Sequence, residues 1–454
     1  MRVLTSDVNC FRVPGVRYQC YFFACRLTSY RAEALAASAR YCSHPASGQR
    51  VESFQGTVLI RILPLCLGTF ALGIDAYIMA GLLPGIASSF DVPAAVAGQT
   101  VTVFTACYAI AAPVFGALTA GKSVRRVLGT ALILFILANT LSAIATSFPV
   151  LLLSRALAGV GAGLYSPTAF AAAASMVPAE QRGRALGLVV GGLALGTAVG
   201  VPSGLVVAVR FGWRSTLWLI VALGGVALAG VMFRLSEITA STPPSLRQRV
   251  SVLADPRVAA TIAVSFVTSA ASIGLYTFAA PLLRSTSGVT DPLPYLWAWS
   301  LGGVAGIYLC GALIDATGRP ETMMSLVLIL MLVVFTLLGT ASVYQPLALV
   351  LFGAWGAAAW SSQGPQQHRL LSLHSDKGGI VVALQSSAHY LGSAAGAALG
   401  GIALAAGMRL TQLPLLSTGL IVLALSGQLG VAAWARADLA RAARNVSLIG
   451  RDLS

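Results

Sequence analysis

Charge is what this sequence has least of. Only 9% of its residues are Asp, Glu, Lys or Arg, against about 25% in soluble domains. That is too little polar surface to cover a water-exposed globule of 454 residues. With 57% hydrophobic residues, the solvent that is left is lipid. Lysine is nearly absent, at 2 against 27 arginines, a bias that fits a GC-rich bacterial genome. Seven cysteines contain no C-x-x-C pair, which gives no support to a zinc site, and nothing in their placing implies disulfides. The lack of a P-loop argues against ATP-driven transport by this chain. No enzyme signature or cofactor motif is found. The net charge of +15 does not imply nucleic acid, because the basic residues lie in short gaps between apolar runs.

What is present is a series of such runs, about twelve long enough to span a bilayer. Six lie near 58–85, 97–120, 127–147, 149–177, 184–209 and 214–233. Six more lie near 258–283, 294–316, 321–342, 346–371, 379–406 and 411–435. The longest polar gap, 234–257, holds Pro243, Pro244 and four arginines and reads as a linker between two six-helix halves. The expected plan is a tail at 1–57, halves at 58–233 and 258–436, and a tail at 437–454. With the N-terminus inside, inward loops and tails hold 24 Lys and Arg and outward loops hold 4. This asymmetry predicts that both termini are cytoplasmic. The first 56 residues are Arg-rich and lack an apolar segment long enough for a secretory signal. They read as a disordered cytoplasmic tail, or as the product of a start assigned too early.

Two polar stretches repeat. GALTAGKSVRR begins at Gly116 and GALIDATGRP at Gly311, 195 residues apart. Each falls after the second helix of its half. A duplicated half with a cytoplasmic linker is the plan of an alternating-access transporter. Glycine lets two helices approach closely. An Asp and an Arg at such a joint can pair in one state and part in the other. Loop arginines can also serve only to fix topology.

The second stretch resembles the loop signature of the major facilitator superfamily, G-x-x-x-D-x-x-G-R. Gly311, Asp315, Gly318 and Arg319 match every place. In the first copy Gly116 matches, but Ala120 replaces the Asp and Ser123 the second Gly. The basic cluster Lys122, Arg125 and Arg126 remains. LLLSRALAGVGAG at 151–163 resembles the fourth-helix motif, with Arg155 and Gly159. GGLALGTAVGVPSG resembles the fifth-helix antiporter motif through Gly192, Gly196, Gly200, Pro202 and Gly204, although Val201 separates the usual Gly-Pro pair. Read by itself, that ladder of period four is a flat face for close packing. LGIDAYIMAGLLPGIA at 72–87, WSSQGPQQHRLLSL at 360–373 and SSAHYLGSAAGAALGG at 386–401 resemble twelve-span bacterial drug–proton antiporters of the arabinose and chloramphenicol efflux branch. The resemblance implies the all-α major facilitator fold, a bacterial inner-membrane location, and proton-coupled efflux of small amphipathic compounds.

Two charges stand inside apolar runs. At about 1.5 Å per residue, Asp75 lies about 25 Å along the first helix and Arg155 about 9 Å down the fourth, both in the outer half. An ionisable group in hydrocarbon is costly unless it pairs or faces water. A pair solves that problem for both. It also makes a proton switch if cavity opening or substrate binding alters the balance between ionised and neutral carboxyl. A static pair that orients helices is the simpler alternative. The second half offers Tyr276, Trp355, Trp360 and Gln363 as candidate cavity residues, suited to stacking an amphipathic substrate. His389 is a second protonation candidate, since histidine titrates near neutral pH. The expected partners are a small-molecule substrate and membrane lipid, with no nucleic acid; the chain is expected to act as a monomer, with the proton as coupling ion. An importer or facilitator of sugars or metabolites, and a non-transporting membrane sensor, are the competing classes.

Overall fold

The computed structural model describes residues 56–452 except 120, 179–180, 236–250, 288, 290, 341–343 and 375–376. The tail at 1–55 and most of the 234–257 linker therefore lie outside the described residues. The first set of helices is α1 (Gly56–Phe90), α2 (Gln99–Leu118), α3 (Val124–Ile144), α4 (Phe148–Ser175), α5 (Arg182–Phe211) and α6 (Trp213–Arg234). The second set is α7 (Pro256–Thr277), α8 (Leu293–Thr317), α9 (Pro320–Thr340), α10a (Gln345–Ser361), α10b (Gln363–Leu373), α11 (Gly378–Ala405) and α12 (Leu413–Asp452). No strand occurs among the described residues.

Eleven of these helices are long and apolar enough to cross a membrane. The remaining expected run, near 346–371, is broken at Ser362 into α10a and α10b. The cause is local. Pro365 has no N–H for the carbonyl of Ser361 four residues back. That carbonyl instead accepts a weak hydrogen bond from Cys310 Sγ of α8, at 3.7 Å.

A second irregularity divides α5. Gly196–Gly200 forms a π turn between Arg182–Leu195 and Val201–Phe211. The Val201 N–H reaches back five residues to the Gly196 carbonyl. Pro202 then has no N–H to offer the carbonyl of Thr197. The Ser300 hydroxyl of α8 donates to it from the other set, at 3.4 Å.

Most predicted ends shift modestly. The last helix runs to Asp452, well past the expected end at 435, through a stretch rich in Ala, Arg and Leu, all strong helix formers. Gly318 ends α8 in the left-handed region, at φ 61°. In the first loop Gly121 takes that role, at φ 72°. Ser123, which stands where the signature has its second glycine, keeps φ −59° and opens α3.

The two sets touch from the middle of their helices to the ends facing away from the basic loops. Tyr108 of α2 packs against Tyr390 of α11, with ring centroids 3.9 Å apart and the planes tilted by 37°. Gly401 of α11 sits against Ala95 and Gln99, and Gly98 sits against Phe278. The segments nearer the basic loops, Arg182–Leu195 of α5 and α10b, pack against helices of their own set.

Candidate functional site

Glycine positions determine how close α4 comes to its neighbours. A Cβ on Gly159 or Gly163 would strike the Phe104 or Tyr108 carbonyl of α2. One on Gly161 would crowd Ala131 and Phe135 of α3. The fourth-helix motif therefore wedges α4 between α2 and α3. One turn before Gly159, this aims Arg155 into the bundle.

There Arg155 meets Asp75 of α1, with Nη1 2.8 Å from Oδ1, and both side chains are 0% exposed. Asn139 of α3 completes a triad. Its Nδ2 donates to Asp75 Oδ2 at 3.4 Å and to the Phe135 carbonyl at 3.1 Å, and its Oδ1 accepts from Arg155 Nη1 at 3.3 Å. Arg155 Nη2 donates to the Asp75 carbonyl at 3.4 Å. The guanidinium carbon lies 4.5 Å from the Phe104 ring centroid, a cation–π contact. Asn139 and Phe104 are additions from the structure. A lone amide in the middle of an apolar run was the available signal for Asn139; nothing distinguished Phe104 from the other apolar residues.

The ladder on α5 faces α1. A Cβ on Gly192 would meet the Cys66 carbonyl and Thr69, on Gly196 the Phe70 carbonyl, and on Gly200 the side chain of Ile74. Gly204 abuts Ile78 and Thr216. Thr69 Oγ1 also donates to the Val189 carbonyl at 2.8 Å. The ladder and the π turn thus lie along the segment of α1 that carries Asp75.

The second-half candidates separate into two groups. Tyr276 and Trp360 converge with Trp299 on Tyr77 of α1, at centroid distances of 6.3, 5.6 and 6.2 Å from Tyr77. Trp299 is a further addition. Trp355 is fully buried behind this group, its Nε1 donating to Ser272 Oγ at 2.9 Å and its ring edge-on to Phe335 and Phe352. It supports the cluster and does not line it.

Gln363 lies apart from the aromatics. Its side-chain amide is 2.7 Å from Nδ1 of half-buried His389. Gln385 Nε2 reaches the Gln363 carbonyl, Gln363 Oε1 and Gln366 Oε1, each at 3.4 Å. This polar cluster surrounds the break at Ser362. The structure brings Asp75 together with Arg155; it puts His389 with Gln363 in the other set.

The loop candidates are at the surface. Gly311, Asp315, Gly318 and Arg319 are exposed, as are Lys122 and Arg126, and Arg125 is half-buried. Asp315 and Arg319 have no ion-pair partner among the described residues. Gly116 lies within α2, and Ala120 is outside the described residues.

The family model of the Major Facilitator Superfamily matches residues 65–397, most of the chain and both sets of helices. The chain belongs to the Major Facilitator Superfamily. It is a multi-pass membrane transporter, not an enzyme. Among its relatives, the inner membrane transport protein YdhP of Escherichia coli (strain K12) is 28% identical over 368 residues, covering 80% of this chain and 94% of YdhP. The chloramphenicol resistance protein of Streptomyces lividans is 30% identical over 271 residues, covering 58% of this chain and 68% of its own length. In three dimensions the chain is similar to a bacterial homologue of the human lysosomal transporter Spinster, solved in an inward-facing and unoccupied conformation. The TM-score is 0.65 at 14% identity, over 83% of this chain and 96% of the other.

Proposed function

We propose that this transporter exports small amphipathic compounds across a bacterial inner membrane in exchange for protons, with both termini in the cytoplasm. The observation that carries the reading is the buried triad of Asp75, Arg155 and Asn139. Two ionisable side chains in the hydrocarbon region are costly, and such residues mark substrate and ion pathways. The triad suits a carboxyl that changes charge. When Asp75 takes a proton, Arg155 keeps Asn139 Oδ1, the Asp75 carbonyl and the Phe104 face. The arginine is therefore not stranded, and the Asp75 side chain is free to loosen from α4. Tyr77, two residues along the same helix, sits among rings of the second set. A shift of α1 is thereby felt at the contact between the sets. The basic loops assign the cytoplasmic side, so the conformation described is sealed toward the outside. The Streptomyces lividans relative, a chloramphenicol resistance protein, favours export of a drug-like compound over sugar uptake.

The test is proton movement in reconstituted vesicles under an imposed pH gradient, with a panel of amphipathic drugs and simple sugars. The expected result is gradient collapse triggered by one or more of the drugs. If no compound moves protons and labelled sugar equilibrates, the chain is a facilitator and the triad is architecture.

A further inference from the structure

The aromatic cluster has two features that packing does not explain. Tyr276 and Trp299 are 2% and 1% exposed, yet the Tyr276 hydroxyl and the Trp299 Nε1 have no hydrogen-bond partner among the described residues. A buried polar atom left unpaired carries a desolvation penalty, and buried Tyr and Trp usually find a partner. The second feature is the origin of the rings. Tyr276 of α7, Trp299 of α8 and Trp360 of α10a belong to the second set, and Tyr77 enters from the first. Tyr276 and Trp299 have centroids 4.2 Å apart, and Trp299 and Trp360 lie 6.0 Å apart at 63°. Gly303 and Gly356 make this possible, because a Cβ on Gly303 would strike Trp360 and one on Gly356 the Trp299 backbone. A crevice lined by Trp299, Trp360, Ser300 and Thr197 of the π turn adjoins the cage.

We infer that Tyr276, Trp299 and Trp360 form the substrate seat, that it takes a neutral planar aromatic compound bearing a hydrogen-bond acceptor, and that Tyr77 fills the seat in the conformation described. The inference rests on the export reading for its purpose. When α1 shifts and carries Tyr77 away, as protonation of Asp75 on the same helix would allow, the three rings are exposed to a ligand. The orphaned atoms select the ligand's chemistry. Indole N–H is a donor only, and Tyr O–H can donate; both are satisfied by a carbonyl, nitro or ether oxygen. Aromatic cages also attract quaternary ammonium ions, but such a cation offers no acceptor to either atom. The Asp75 carboxylate is already engaged by Arg155 and Asn139. Tyr77 serves as the resident ring, and the acceptor is the part it cannot supply to Trp299 in this arrangement.

The test is equilibrium binding of tritiated coumarin to the full-length protein in detergent, without a pH gradient. Naphthalene and N-methylquinolinium compete as two-ring probes, one with no acceptor and one cationic. Coumarin is expected to bind more tightly than either by about tenfold, the scale of one or two hydrogen bonds. Tyr276→Phe removes only the hydroxyl, and Trp299→Phe keeps a smaller aromatic ring without the N–H; each should lower coumarin affinity about fivefold, erasing much of its advantage over naphthalene. Tyr77→Ala should strengthen coumarin binding, a gain that a misfolded variant cannot give. The proposal is overturned if naphthalene or the cation matches coumarin, if the two donor-deleting variants bind coumarin as wild type does, or if Tyr77→Ala fails to strengthen binding. Because no gradient is present, these outcomes are independent of whether transport is proton-coupled.

Discussion

Arg155 has four kinds of partner: a carboxylate, an amide oxygen, a backbone carbonyl and a ring face. Losing it leaves the Asp75 carboxylate buried with only the 3.4 Å donor of Asn139. Breaking a buried pair by removing one partner costs about 3–5 kcal/mol. Arg155→Ala should therefore lower the melting temperature in detergent sharply, and Asp75→Asn much less, because a neutral amide leaves Arg155 its other partners. Equal loss in the two variants would contradict the asymmetry. Arg155→Lys should restore little, since a point charge cannot reach several partners at once or stack as a plane. Asp75 and Arg155 were legible in the sequence because a charge inside an apolar run has few explanations and their depths agreed. Asn139 and Phe104 were not identified, because their roles depend on which faces α2 and α3 turn to α4. Trp355 illustrates the converse: its ring suggested a cavity wall, but the Ser272 hydroxyl holds it behind Tyr276.

At the scale of elements, close packing is position-specific. Gly196→Val should force α5 from α1, since its side chain meets the Phe70 carbonyl, and should reduce the yield of folded protein on gel filtration. Gly191→Val, five residues away with nothing within 4 Å of a new Cβ, should be tolerated. Similar losses from both would remove the ladder's role as an α1 contact. Gly318→Ala should cost about 1 kcal/mol through its left-handed backbone, read as a lowered melting temperature. The runs of apolar residues were enough to predict most of the helices to within a few positions; the last runs well past its expected end and the tenth is broken. The break at Ser362 and the π turn were not readable from hydropathy, which averages over a single proline. Pro365 and Pro202 were visible in the sequence. What each does depends on a rescuer from another helix, Cys310 for the Ser361 carbonyl and Ser300 for that of Thr197. The duplicated loops were legible as a repeat, yet the turn glycine of the first is Gly121, two residues before the place the signature assigns.

At the scale of the molecule, the two sets meet at the ends away from the basic loops, and transport by alternating access requires that contact to open. A disulfide between Ala95→Cys and Gly401→Cys, in a background without the native cysteines, should hold it shut. Oxidation is expected to stop transport in vesicles and a reductant to restore it; undiminished transport by the oxidised form would show that this contact need not part. The triad and the seal are linked through α1, which carries both Asp75 and Tyr77. This linkage separates two activities of one protein. Exchange of labelled for unlabelled substrate at equal pH needs the seal to open but no proton movement, whereas uphill accumulation needs both. The most direct test is to measure the two side by side in wild-type and Asp75→Asn vesicles. The predicted result is that Asp75→Asn retains exchange and loses pH-driven accumulation. Accumulation undiminished in Asp75→Asn would contradict the assignment of Asp75 as the site of proton coupling.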